Sequence, residues 1–311
     1  MSRTVERRKG DASDSQSAEP TLNTTAAEPE QYGRTDQELA TLPMALAGGS
    51  FSGMVAVVSG AGSGIGRATA HWIARLGGKL VLCGRKVEKL DSAARSLARF
   101  GTEVLVQPLS IRDPDAVSTM FDAAWERFGR VDVLVNNAGG QFPQAAIDFS
   151  VKGWNAVIDT NLNGTWYMMQ AAARKWRDAG TAGSIVNVTA AVTRGMPGIA
   201  HTCAARAGVI YASKTVAVEW APLHIRVNCV APGVIATEGM NAYSEQARHT
   251  FPQTNPMKRL GRVEEIADAT CYLAGPAGGF ITGEVLTIDG GAQLWGDLWT
   301  IPRPDYFKSL G

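Results

Sequence analysis

Residues 54–66 read Met-Val-Ala-Val-Val-Ser-Gly-Ala-Gly-Ser-Gly-Ile-Gly, and no other stretch constrains the fold as much. The opening apolar run, 54–58, carries three valines and suits a strand buried on both faces of a parallel sheet. Gly60, Gly62, Gly64 and Gly66 follow at once. Residues 67–76 then set Ala70, Ile73, Ala74 and Leu76 at helical spacing. A turn without Cβ atoms lets backbone N–H groups approach a pyrophosphate, and the helix behind it offers free N–H donors and a positive dipole end. The spacing is G-x-x-x-G-x-G through Gly60, Gly64 and Gly66; Ile65 stands where G-x-G-x-x-G would put its last glycine. The bland alternative is a tight strand–helix turn. The flanking strand and helix favour dinucleotide binding.

From residue 49 the chain alternates. Strands are expected at 79–83, 103–106, 131–135, 184–188, 225–230 and 285–288, with helices at 88–100, 154–177, 201–221 and 263–273. Asp113 is a helix cap with Pro114 at the first position. Behind it Val117, Met120, Phe121, Ala124, Trp125 and Phe128 form an apolar stripe. Strands alternating with helices predict an α/β fold, a doubly wound seven-stranded parallel Rossmann sheet in a single domain over 49–293. Ligands bind such sheets beyond the carboxyl ends of the strands.

The flanks differ. Residues 1–48 are rich in Ser, Thr, Glu and Ala, with Tyr32 as their one aromatic, and are expected to form a disordered N-terminal tail. The C-terminal tail, 294–311, carries Trp295, Trp299 and Tyr306, aromatics suited to covering a neighbouring subunit. Thirty basic against 29 acidic residues give no electrostatic case for nucleic acid. No apolar run is long enough for a membrane span. The four cysteines lack C-x-x-C spacing, so they predict reduced thiols, no metal site and a cytoplasmic location.

After the second strand, Arg85 stands 19 residues past Gly66, where an acid would hold the ribose 2′-hydroxyl of NAD. A guanidinium instead suits a 2′-phosphate, so NADP (NADPH) is expected and NAD disfavoured.

After the fourth strand come Asn136, Asn137, Ala138 and Gly139. With these residues the chain resembles the short-chain dehydrogenase/reductase family. The other matching motifs are Ser59 through Gly66, Asn161-Leu-Asn-Gly164, Ala231-Pro-Gly233 and Asp289-Gly-Gly291. The resemblance implies that Gly60, Gly64 and Gly66, with Ser59 and Ile65 in the same loop, cradle the pyrophosphate. Asn137 would hold the sheet and lie near the adenine ribose, and Ala138 and Gly139 beside it would also contact the cofactor. Pro232, Gly233 and Thr237 would contact the nicotinamide end. Ser110 falls where the family usually has an adenine-bonding Asp.

The family's catalytic set is Asn, Ser, Tyr and Lys. Asn161 matches it. Thr189, 28 residues on, takes the Ser position, and Arg206, a further 17 on, takes the Lys position. Thr202 stands where Tyr belongs. A Thr–Arg pair cannot run a Tyr–Lys proton relay. Tyr211 and Lys214 lie further along the same helix, Tyr211 about 14 Å and half a turn away from Thr202, and are expected to be packing or surface residues. His201 is a candidate proton donor or a packed residue.

Gly139 to Phe142, 201–208 and 280–283 narrow the resemblance to the peroxisomal trans-2-enoyl-CoA reductase branch, related to the 2,4-dienoyl-CoA reductases. This implies enoyl-thioester reduction with fixed donors for an enolate. Arg206 would also bond the nicotinamide ribose. Gln141, Phe142 and Met240 would contact substrate, and the assembly would be a homotetramer or homodimer. Met240, Tyr243, Phe251 and Met257 give residues 237–258 adaptable apolar surface, which suits either a substrate lid or an ordinary packed helical excursion. The alternatives are a carbonyl or alcohol dehydrogenase of fatty or terpenoid-like substrates, and a non-catalytic NADP-binding protein.

Overall fold

The computed structural model describes residues 32–295 and Asp305. In chain order the elements are α1 (Asp36–Thr41), β1 (Val55–Ser59), α2 (Gly64–Arg75), β2 (Lys79–Gly84), α3 (Val87–Leu97) and β3 (Val104–Pro108). Then come α4 (Pro114–Phe128), β4 (Val133–Asn136), α5 (Val151–Ile158), α6 (Gly164–Ala179), β5 (Gly183–Val188) and α7 (Ala200–Glu219). The chain continues through β6 (Ile225–Pro232), α8 (Glu245–Thr250), α9 (Val263–Ala274) and β7 (Val285–Ile288).

The seven strands form one sheet in the order β3-β2-β1-β4-β5-β6-β7, every pairing parallel. This is the doubly wound Rossmann arrangement that the alternation predicts. Period-two alternation splits the core between the two faces. Ala56, Val58, Leu80 and Leu82 face α2, α3 and α9. Val55, Val57, Val81 and Cys83 face α4, α6 and α7. The order reverses between β1 and β4, which opens a crevice at their carboxyl ends.

Two expectations change. Residues 32–48 are not tail. Thr35 and Glu38 make a reciprocal capping box on α1, Leu39 is fully buried, and Leu42, Met44 and Leu46 pack against the same core. Arg75 of α2 fastens the segment by donating to the carbonyls of Leu39 (2.9 Å) and Leu42 (2.7 Å). The expectation for 1–31 lies outside the described residues, as does that for Trp299 and Tyr306.

The helix expected over 154–177 begins earlier, at Val151, and is interrupted. Asp159–Asn163 is a π turn between α5 and α6. Such bulges often mark functional positions, and this one holds Asn161.

Candidate active site

A cavity of about 400 Å³ opens at the carboxyl ends of β1, β2 and β4. Gly60 of the loop after β1 and Gly64 and Ile65 at the start of α2 line it. Gly60 and Gly64 have φ of 66° and 53°, a region that favours glycine. Gly66 serves a different need: a Cβ there would overlap the Asn137 amide and the Gly60 carbonyl. This is the cradle a pyrophosphate requires. Ser63, at the N-cap of α2, makes no side-chain cap bond.

Ser59 lies behind the cavity wall and braces it, while Asn137 both lines the cavity and ties the loop. Ser59 Oγ accepts from the N–H groups of Asn137 (3.1 Å) and Ala138 (3.0 Å). Asn137 Nδ2 donates to the Ser59 carbonyl at 3.1 Å, which ties the ends of β1 and β4 together. Ala138, Gly139, Ser110 and Thr237 line the cavity. Pro232 and Gly233 do not. Their backbone is engaged with Ala191 and Ile288, and a Cβ on Gly233 would overlap Asp289.

At the far end of the cavity stand Arg85, Lys86, Lys89 and Arg112. Lys89 and Arg112 were not singled out from the sequence. Their signal was available, since both follow closely on the carboxyl ends of β2 (Gly84) and β3 (Pro108). Glu238 is the one acid among the described lining residues. This donor set fits a phosphorylated dinucleotide.

Beyond Gly139 lies a second group. Asn161, fully buried, accepts from Gly140 N at 2.9 Å and donates to Gly140 O at 2.9 Å. The Arg206 guanidinium sits directly on Gly139, where a Cβ would collide with it. Arg206 is 8% exposed, and no carboxylate forms an ion pair with it among the described residues. Burial lowers its pKa to about 10, so it stays protonated at neutral pH. Thr189 is buried and donates to the Val230 carbonyl at 3.1 Å, a bond it must give up to serve a substrate. Thr202, also buried, lies one turn before Arg206 on α7.

His201 is fully buried, its ring 4.5 Å from Phe149 in a stack and 4.7 Å from Phe142 edge-on. Its Nδ1 accepts from Thr202 N at 2.7 Å. Burial lowers its pKa, partly opposed by backbone groups of Ile199 and Phe142. This environment keeps the ring neutral and shielded, which suits packing rather than proton delivery. Phe142 is likewise held by His201, Phe149 and Gly153. Met240 is buried, and Gln141 donates to the Tyr243 hydroxyl. Tyr211 points outward at 70% exposure, and Lys214 lies 5.4 Å over its ring.

A family model described as Enoyl-(Acyl carrier protein) reductase matches residues 60–293. The chain belongs to the short-chain dehydrogenase/reductase family. It is 37% identical over 243 residues to a probable 2,4-dienoyl-CoA reductase [(2E)-enoyl-CoA-producing] of Bacillus subtilis, covering 76% of this chain and 96% of that protein. It is 38% identical to the peroxisomal 2,4-dienoyl-CoA reductase [(3E)-enoyl-CoA-producing] of Mus musculus, covering 77% and 84%. Among solved structures it resembles a citronellol catabolism dehydrogenase of Pseudomonas aeruginosa PAO1, with TM-score 0.72, 39% identity and coverage of 80% and 99%. The chain is thus a short-chain oxidoreductase that uses a nicotinamide cofactor and resembles the dienoyl-CoA reductases. Among the described residues no helix is long and apolar enough to cross a membrane.

Proposed function

We propose that the protein uses NADPH to reduce the α,β double bond of an enoyl thioester. The observation that carries this reading is the buried, carboxylate-free Arg206 with Thr202, not Tyr, one turn before it. Ketone reduction produces an alkoxide, which needs a strong acid beside it. Enoyl reduction instead places charge on the thioester oxygen as an enolate, which fixed donors hold without immediate protonation. The bound cofactor supplies hydride. Arg206 and Thr202 hold the developing oxyanion, Asn161 fixes the Gly139–Gly140 loop that Arg206 packs on, and water supplies the α-carbon proton. His201 positions the start of α7 and the loop that carries Phe142.

Arg85, Lys86, Lys89 and Arg112 support NADPH over NADH, since four cations suit a 2′-phosphate. The Gln141–Tyr243 bond, which joins the loop after β4 to the 237–258 segment, and the buried Met240 support a lid role for 237–258. Exposed Ile147, Trp154, Tyr211 and Val218 support a homo-oligomer, a homotetramer or homodimer. The four free thiols, three of them buried, fit a reducing compartment such as the cytoplasm. The likeness to a citronellol catabolism dehydrogenase favours, as a second reading, oxidation or reduction of a terpenoid-like alcohol or aldehyde.

The test is NADPH oxidation with crotonyl-CoA, decenoyl-CoA, acetoacetyl-CoA and a simple aldehyde in parallel. The enoyl thioesters should turn over fastest. Turnover of the aldehyde or the ketoacyl thioester alone would favour the second reading.

A further inference from the structure

Glu238 follows Thr237 in the turn after β6, and its carboxylate reaches across to the glycine loop. Its Oε2 accepts from Gly64 N at 3.1 Å. Gly64 is the first residue of α2, a 12-residue helix whose own N-cap side chain makes no cap bond. Its N–H is therefore one of the orphan donors at a positive dipole end, the kind of group that a phosphate takes. A pyrophosphate laid on this loop and the Glu238 carboxylate compete for the same N–H.

The carboxylate is held from the other side as well. Its Oε1 accepts from Arg67 Nη2 at 3.3 Å. The same Nη2 donates to the Arg34 carbonyl, and Arg67 Nε lies 3.7 Å from Asp36. Gly33 abuts the Glu238 carboxyl so closely that a Cβ there would touch it. Arg67 thus joins three things: the segment before α1, the cofactor helix and the turn that leads to Met240 and Tyr243. When the carboxylate leaves Gly64 it keeps a cation, so its release does not strand an unpaired charge.

We propose that Glu238 is a built-in competitor for the cofactor's pyrophosphate and sets the affinity of the site for nicotinamide nucleotides. It is an affinity-determining residue, not a catalytic one. Binding a nucleotide displaces the carboxylate from Gly64 onto Arg67 alone. The cost of that displacement, and of bringing a diphosphate beside a carboxylate, is subtracted from the binding free energy. The inference rests on the dinucleotide reading of the cavity and not on the identity of the substrate.

The experiment is a fluorescence titration of NADPH and NADH into the full-length protein and into Glu238→Gln and Glu238→Ala. Glu238 is 37% exposed, so both variants should fold. Because charge-assisted bonds are about twice as strong as neutral ones, both variants should bind both nucleotides about tenfold more tightly. Adenosine, which brings no phosphate, should bind all three proteins equally. Unchanged or weaker nucleotide binding in both variants overturns the proposal and leaves the cofactor site standing, with Glu238 then a structural cap of the loop. Equal tightening for adenosine also overturns it. Failure of the unaltered protein to bind any nicotinamide nucleotide overturns the cofactor reading and this inference together.

Discussion

Asn161 and Gly140 hold each other through two hydrogen bonds, each of 2.9 Å, from a π turn to a loop 21 residues away. The Asn161 amide engages both backbone groups of Gly140, and Gly139 next to it is the surface on which Arg206 lies. On this geometry Asn161 is expected to act on the site through position. Asn161→Ala should lower turnover about a hundredfold, the scale of an ångström-level misplacement, while the Kd for NADPH stays within about threefold of the original. Steady-state kinetics beside a cofactor titration checks this. Unchanged turnover would remove Asn161 from the site.

Arg85 should account for most of the preference for NADPH. A charge-assisted bidentate contact contributes about 1.5–3 kcal/mol, or roughly ten- to hundredfold in affinity. Arg85→Ala should lose that preference, with Lys89 and Arg112 retaining the remainder. Equal affinities of the unaltered protein for NADPH and NADH would refute the assignment.

Leu39 belongs to the core although it lies before the dinucleotide loop. Leu39→Ala should cost about 2–5 kcal/mol, as for other buried leucines, and lower the Tm accordingly. A Tm equal to that of the unaltered protein would mean that the segment is an attached strap with no part in the fold's stability.

His201 predicts a pH dependence of stability. Its folded pKa is depressed below the unfolded value of 6.5 by burial. Between those two values the unfolded chain binds the proton more readily. The contribution is therefore absent above about pH 6.5 and becomes destabilising as pH falls toward the folded pKa, by up to about 1.4 kcal/mol per pH unit. His201→Gln should flatten the acid limb of a Tm-against-pH curve relative to the unaltered protein. Parallel curves would show that His201 is solvated.

Much of this was legible in the sequence. The strand alternation, the glycine loop and Arg85 are local signals, and local signals carry the Rossmann fold. The outward Tyr211 also follows from helical geometry alone. What escaped depends on distant partners. Leu39, Leu42, Met44 and Leu46 sit in a polar, compositionally plain stretch, and only the face of α2 and α9 gives them a place to pack. Glu238 is 174 residues from Gly64, so no spacing rule joins them. The π turn at Asp159–Asn163 breaks a helix that periodicity draws as continuous. His201 reads as a free titratable group until Phe142 and Phe149 enclose it.

Arg206 carries the central claim. It is a buried cation without an ion-pair partner among the described residues, and desolvating such a charge costs stability that the proposed role at the site would account for. Arg206→Met should leave the protein at least as stable. The direct measurement is the rate of decenoyl-CoA reduction by NADPH in the unaltered protein, Arg206→Met and Tyr211→Phe. Loss of one fixed donor to an enolate costs about a hundred- to thousandfold in rate. Arg206→Met should fall by that factor, while Tyr211→Phe should stay within about twofold of the unaltered rate. A Tyr211→Phe protein that is inactive, beside an active Arg206→Met, would contradict the account.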